Sequence, residues 1–208
     1  MYTLYYKPAT ASQCVHWMLI ELRVPFTLEL VDTDAPRSPE YLRLNPTGQV
    51  PTLIVDGAPC VESAALLMLL AERHAEAGFA PAVGSPERAA YLEHMVYLAN
   101  SLLPAFRNVF YPEDFAGPEH LDDTLQRARA RVEAAWARID ERLSDGRAFL
   151  LGDQMRSPDF LLTMLTRWSR NQPRPATDWP HLRAYVTRMK QRPGLREVHA
   201  REGLTEWI

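Results

Sequence analysis

One nine-residue stretch, 45–53 (Asn-Pro-Thr-Gly-Gln-Val-Pro-Thr-Leu), constrains the fold more than any other part of this chain. Asn-Pro and Gly48 predict a chain reversal. Pro51 has no N–H to offer a neighbouring strand, so the backbone just before it is left free to pair with something outside the sheet. The Val50-Pro51 bond is also a candidate for a cis peptide. The stretch therefore predicts a tight turn that leads into a strand.

A helix start follows this turn. Glu62 and Ser63 precede an apolar run with helical spacing, and the free N–H groups at a helix N-terminus bind carboxylates. The free backbone at Val50 and this helix start together predict a site for a small peptide-like ligand that carries a carboxylate.

Length and composition match an ordinary globular protein, with 208 residues, 47% hydrophobic and 24% charged, and a formal net charge of −3. This charge gives no electrostatic basis for binding nucleic acid or an anionic membrane. No apolar run approaches the ~20 residues of a transmembrane helix, and the N-terminus lacks the pattern of a signal peptide. Cys14 and Cys60 form no metal-binding pattern. We expect a cytoplasmic protein with reduced thiols and no metal site.

The first part of the chain, 1–78, predicts alternating strands and helices. Asp56-Gly57 is the strongest two-residue hairpin signal, and Gly78 is typical of a helix end. The predicted order is β-α-β-α-β-β-α, which is the thioredoxin-like arrangement, with strands at 3–6, 25–31, 52–55 and 59–61 and helices at 12–22, 40–44 and 62–77.

The rest of the chain predicts a linker at 79–86 and an all-helical domain at 87–208. Apolar residues recur at three- and four-residue spacing from Leu121 to Leu143, which indicates one long helix. Ser157 is predicted to cap a further helix, with Pro158 at its first position. The predicted fold class is α/β plus all-α: a thioredoxin-like N-terminal domain followed by a helical C-terminal domain.

The motif "NPxGxVPxL…ES" after a β-α-β start resembles the cytosolic glutathione transferases. Residues 149–159 resemble the family's "FLxGdxxSxAD" region, although the usual capping Ser or Thr falls on Arg156. The tail from 179 to 193 also fits the family, so the resemblance runs from about residue 3 to residue 205. It implies a homodimer that conjugates glutathione, as co-substrate without a further cofactor, to a small hydrophobic electrophile. Peroxidase or isomerase activity is the nearest variant.

The opening Leu4-Tyr5-Tyr6-Lys7-Pro8 resembles the bacterial beta class, whose "LYYSPGACS" begins in the same way. The beta-class cysteine falls on Ala11 here, and a beta-class histidine falls on Leu103. The chain is therefore beta-class-like but lacks the hallmark cysteine, and disulfide-exchange chemistry is not expected. A non-catalytic glutathione-binding or regulatory protein is the alternative from another functional class.

A transferase of this kind must stabilise the thiolate of glutathione. Free thiols have a pKa of roughly 8.5, and lowering it by about two units requires roughly 2.7 kcal/mol. A hydroxyl or backbone donor at a helix N-terminus supplies this. Ser12 is the leading candidate, although it equally fits a plain helix N-cap. Tyr6 is the rival, Thr10 is a weaker one, and the backbone N–H groups of Ala11 and Ser12 remain a further alternative.

The resemblance also implies the binding residues. Val50 pairs its backbone with the cysteinyl moiety while Pro51 holds the geometry, and Glu62 and Ser63 take the γ-glutamyl end. Further candidates are Gln49 and Arg37 for the glycine end, and Phe106 and Tyr111 for the second substrate, although these aromatic residues fit a core or dimer contact equally well.

Overall fold

The computed structural model describes every residue from Met1 to Ile208. Close contacts divide the chain into two compact units, which are Met1–Ala80 with Lys190–Ile208, and Pro81–Met189. The junction at Ala80–Pro81 lies inside the expected linker, 79–86. The last segment continues the helical region in chain order but packs with the first unit. None of the helices is both long and apolar enough to cross a membrane.

The first unit contains a four-stranded mixed sheet with the strand order β2-β1-β3-β4. β1 and β2 run parallel, whereas β3 is antiparallel to both β1 and β4. The predicted hairpin is confirmed, because Asp56 and Gly57 both adopt positive φ between β3 and β4. The strands are β1 Tyr2–Tyr6, β2 Phe26–Leu30, β3 Thr52–Val55 and β4 Ala58–Val61.

The helices confirm the predicted fold class, an α/β region followed by a helical one. Helix α3 ends earlier than predicted, at Arg73, and a short 3-10 turn follows it. The helices are α1 Gln13–Leu22, α2 Pro39–Leu44, α3 Ser63–Arg73, α4 Arg88–Tyr97, α5 Leu103–Phe110, α6 Leu121–Leu143, α7 Ser157–Trp168, α8 Pro180–Lys190 and α9 Pro193–Arg201.

The core of the first unit lies between the sheet and the helices α1 and α3. Leu4 of β1 and Leu53 of β3 are fully buried. Helix α1 is buried along most of its length because it packs against both α3 and α9. This packing brings the loop before α1, residues 7–12, close to the first turn of α3.

The second unit is built from α4 to α8. A π-helical turn at Leu98–Leu102 joins α4 to α5, directly before Pro104, which lacks an N–H for regular helix bonding. Ser157 is not the N-cap of α7, which corrects the sequence prediction. Arg156 takes that position, and its N–H donates to Oδ2 of Asp159 at 2.8 Å. The hydroxyl of Ser157 instead forms a buried hydrogen bond with Tyr91 at 2.9 Å.

Candidate functional site

The turn at 45–51 is organised by the buried side chain of Asn45. Its Oδ1 accepts a hydrogen bond from the N–H of Thr47 at 3.1 Å, and its Nδ2 donates to the carbonyl of Gln49 at 2.8 Å. Gly48 has a φ of +66°, and a Cβ there would lie 3.0 Å from Cγ of Arg37. Glycine is favoured at this position because the positive φ strains other residues and a Cβ would require the Arg37 side chain to shift.

Val50 leaves this turn with its backbone unpaired. The Val50–Pro51 peptide is cis, which confirms the sequence prediction. Pairing of β3 begins at Thr52, and neither the N–H nor the carbonyl of Val50 makes a backbone hydrogen bond. The half-buried Val50 therefore has a backbone donor and acceptor free for an extended ligand, and its pairing with a cysteinyl moiety stays a prediction.

The start of α3 is a second unpaired group of donors. Glu62 precedes the helix with a φ of 71°, a conformation uncommon for a residue with a side chain, and it does not cap the helix. The first N–H groups of α3 therefore remain available for a carboxylate. Ser63 is buried at the first helical position, and its hydroxyl donates to the carbonyl of Ala11 at 3.2 Å.

The loop before α1 meets α3 at this carbonyl. Sγ of Cys14 also donates to the Ala11 oxygen, at 3.2 Å. Burial raises the pKa of the Cys14 thiol to about 12, so Cys14 is protonated at neutral pH and is not a nucleophile. The N–H of Ala11 makes no backbone hydrogen bond.

Ser12 is fully buried and holds the loop together. Its hydroxyl donates to the carbonyl of Lys7 at 3.0 Å and accepts from the N–H of Lys7 at 3.2 Å. Thr10 donates to the same Lys7 carbonyl at 2.7 Å. Ser12 occupies the N-cap position of α1, as one alternative expected, but its side chain makes no capping hydrogen bond. A direct role at a thiolate requires its proton to leave the Lys7 carbonyl.

Tyr6 stands at the end of β1, directly before this loop. Its ring packs edge-on against His16 of α1, with the ring centroids 5.8 Å apart. The ring is half-buried, and its hydroxyl makes no hydrogen bond within the protein. Among the predicted side-chain candidates, Tyr6 is therefore the one with an unused O–H donor.

Arg37 and Gln49 differ in whether their side chains are free to contact a ligand. The guanidinium of Arg37 donates to the carbonyl of Gly48 at 2.8 Å and also to the carbonyls of Asp32 and Ala35. Arg37 thus fixes the loop before α2 against the turn. The side chain of Gln49 is exposed beside Val50, where it is free to contact a ligand.

The two aromatic candidates lie in the second unit and differ in exposure. Phe106 is fully buried in a cluster with Phe110, Trp136 and Trp168, at centroid distances of 5.6 to 6.0 Å. This favours the core alternative for Phe106. Tyr111 is 46% exposed, and the Arg107 guanidinium lies 4.0 Å from its ring centroid. Tyr111 is accessible to a ligand, and Phe106 is not.

Two residues of the site region are not predicted from the sequence. Nδ1 of His16 lies 2.9 Å from Oε1 of Glu202, and both side chains are fully buried in the first unit. The residues are 186 positions apart, and no local pattern links positions at that distance.

No cluster of His, Cys, Asp or Glu in the structure is arranged to hold a metal ion.

Comparison with known proteins agrees with this arrangement. Residues 10–73 match the model of the glutathione S-transferase N-terminal domain, and residues 71–193 match that of the C-terminal domain. The second match alone covers more than half of the chain. The chain belongs to the glutathione S-transferase family.

Two related glutathione S-transferases from bacteria match over almost their whole length. GstA of Escherichia coli is 30% identical over 205 residues, which cover 97% of this chain and 98% of the relative. A glutathione S-transferase of Xanthomonas campestris is 29% identical over 202 residues, which cover 97% of this chain and 98% of the relative.

Solved glutathione S-transferase structures share the whole fold. A sphingomonad glutathione S-transferase complexed with glutathione superposes with a TM-score of 0.86 at 28% identity, covering 98% of this chain and all of the other. The beta-class glutathione S-transferase of Sphingomonas chungbukensis has a TM-score of 0.86 at 26% identity. The superposition covers 98% of this chain and 100% of the other. The chain therefore shares the whole glutathione S-transferase fold, with a thioredoxin-like first region.

Proposed function

We propose that this member of the glutathione S-transferase family conjugates glutathione to small hydrophobic electrophiles through a stabilised thiolate. The observation that carries the proposal is the hydrogen bond from Ser63 to Ala11, at 3.2 Å. This contact brings the first turn of α3 beside the loop before α1, to which we assign the stabilisation of the thiolate. One tripeptide ligand can therefore meet a carboxylate site and a thiolate site at once.

The ligand contacts follow from the groups that are left unpaired. The backbone of Val50, which precedes the cis peptide bond to Pro51, pairs with the cysteinyl unit of glutathione. The N–H groups at the start of α3, including that of Ser63, bind the γ-glutamyl carboxylate, while Glu62 accepts a hydrogen bond from the ammonium group. Gln49 contacts the glycine end, and Arg37 supports it indirectly through the turn.

For the thiolate, the unused donors are the hydroxyl of Tyr6 and the N–H of Ala11. We assign the stabilisation to these two groups, with Ser12 shaping the loop, because the proton of Ser12 is already donated to Lys7. Hydrogen bonds to an ionised sulfur contribute ~1.5–3 kcal/mol each. This is enough to lower the thiol pKa by about one to two units.

The second substrate has an exposed aromatic contact in Tyr111.

We also propose that the enzyme is a cytoplasmic homodimer. Retention on immobilised glutathione, followed by a rate assay with a chromogenic electrophile, tests the proposal. Retention together with a glutathione-dependent rate is the expected result, and the absence of retention contradicts it.

A second function, glutathione binding without catalysis, is favoured by one specific feature. Ala11 stands where the beta-class pattern has its cysteine, so the sulfur chemistry of that class has no protein nucleophile here. Retention on glutathione without turnover of any electrophile in a broad panel supports this second function and contradicts the first.

A further inference from the structure

Near its C-terminus the chain places one carboxylate, that of Glu202, against the loop that precedes α1. The residue directly follows α9, and its side chain has no exposed surface. A carboxylate buried this fully is stabilised only when hydrogen-bond donors surround it. The donors around Glu202 all come from the first sixteen residues of the chain.

Three donors converge on this group. Oε2 accepts from the N–H of Ala9 at 3.0 Å and from Nε2 of Gln13 at 3.4 Å, while Oε1 faces Nδ1 of His16 at 2.9 Å. Ala9 has a φ of 63°, which lies in the left-handed region. The hydrogen bond to Glu202 holds this unfavourable backbone conformation.

The same carboxylate also reaches Tyr6 through His16. The His16 ring packs edge-on between Tyr6 and Phe26, at centroid distances of 5.8 and 5.6 Å. An ionised Glu202 only accepts hydrogen bonds, so Nδ1 of His16 carries the proton and the orientation of the imidazole ring is fixed. The ring in turn fixes one side of Tyr6.

We propose that Glu202 is a positioning residue for thiolate stabilisation. It holds the loop Ala9–Gln13 through the backbone of Ala9 and holds the Tyr6 ring through His16. Glu202 therefore places both donors that we assign to the thiolate, although it need not touch glutathione itself. This inference rests on the proposed function.

The chain supplies a matched control in Glu21. This residue also joins α1 to the C-terminal segment, since its carboxylate accepts from Arg192 at 3.0 and 3.2 Å and from Nε1 of Trp17 at 3.0 Å. None of these partners belongs to the loop before α1. Glu21→Ala therefore weakens the same packing between α1 and α9 without releasing Ala9.

The experiment compares Glu202→Ala, Glu202→Gln and Glu21→Ala with the unaltered protein. Amide hydrogen exchange by NMR reports on the Ala9 N–H, and steady-state kinetics with a chromogenic electrophile report on glutathione turnover. We expect Glu202→Ala to lose Ala9 protection, to lower kcat by about ten- to a hundredfold, and to change KM for glutathione by less than about threefold. The pKa of bound glutathione, followed by thiolate absorbance, should rise by about one unit.

Glu202→Gln should restore most of the turnover. Its amide oxygen can accept from Ala9, and its NH₂ can donate to Nδ1 of the other His16 tautomer. Glu21→Ala should keep Ala9 protection, kcat and the bound-thiol pKa of the unaltered protein, even where its stability falls.

Two results overturn the inference: unchanged Ala9 protection in Glu202→Ala, or an equal loss of kcat in Glu21→Ala. If Glu202→Ala does not fold, the Glu202→Gln variant decides, since loss of Ala9 protection together with full turnover in that variant also overturns it. An unaltered protein that fails to bind glutathione contradicts the proposed function instead. The exchange data then still decide whether Glu202 holds the loop.

Discussion

The hydroxyl of Ser63 donates to the carbonyl oxygen of Ala11 at 3.2 Å, across 52 positions of sequence. This contact joins the first turn of α3 to the loop before α1. Because Cys14 donates to the same oxygen at 3.2 Å, the loop is held at Ala11 from two directions. The carboxylate site and the thiolate site of the candidate glutathione pocket therefore share one anchor.

Loss of this anchor should weaken glutathione binding. Ser63→Ala removes a hydroxyl whose single proton is donated either to Ala11 or, once glutathione is bound, to its carboxylate, and a hydrogen bond to a charged group contributes ~1.5–3 kcal/mol. We expect the Kd for glutathione, measured by calorimetry, to rise about tenfold or more. Ser85→Ala is the matched control, because the buried hydroxyl of Ser85 makes no hydrogen bond. Equal affinities of the two variants would remove Ser63 from the site.

The pH dependence of turnover distinguishes Tyr6 from Ser12 as the donor to the thiolate. If the Tyr6 hydroxyl donates to the sulfur, Tyr6→Phe raises the pKa of the bound thiol, so kcat reaches its plateau at a pH about one to two units higher. Glutathione affinity should change little, because Val50 and Ser63 bind other parts of the ligand.

Ser12→Ala should act differently, since the hydroxyl of Ser12 holds the Lys7 backbone. We expect a lower midpoint of thermal unfolding and a smaller shift of the pH–rate profile than for Tyr6→Phe. The reverse order of the two shifts would make Ser12 the thiolate donor and would contradict our assignment.

The two cysteines should differ in reactivity. Burial raises the pKa of Cys14 to about 12, so its thiolate fraction at pH 8 is on the order of one in ten thousand. Cys60 is partly exposed. A chromogenic disulfide reagent should titrate one thiol in the native protein and both thiols in denaturant. The Cys60→Ser variant should show none in the native state, and rapid labelling of Cys14 in that variant would contradict its buried position.

We expect a homodimer in solution. Two-fold dimers are the commonest soluble oligomers, and α4 carries the exposed apolar residues Leu92 and Val96, which are 40% and 49% accessible. Sedimentation equilibrium at micromolar concentration should give about twice the chain mass. A single species of monomer mass would contradict the expectation.

Local chemistry explains why parts of this fold can be predicted from the sequence. Asp56-Gly57 specifies a hairpin because both residues tolerate positive φ. The 45–53 turn is equally local, since the side chain of Asn45 bonds to residues 47, 49 and 52. The open backbone at Val50 follows from the proline beside it. These features depend on atoms a few residues apart, and the printed sequence determines them.

Contacts between distant residues were decided only by the tertiary structure. Ser157 has the chemistry of an N-cap, but Tyr91 takes its hydroxyl and Asp159 caps the helix instead. In the sequence, Phe106 fits a ligand pocket and a core equally well. In the structure it is buried in the cluster around Trp136. The same holds for Glu202, whose partners lie up to 193 positions away. A hydroxyl or carboxylate has several possible partners of similar strength, and only the packing of the folded chain selects among them.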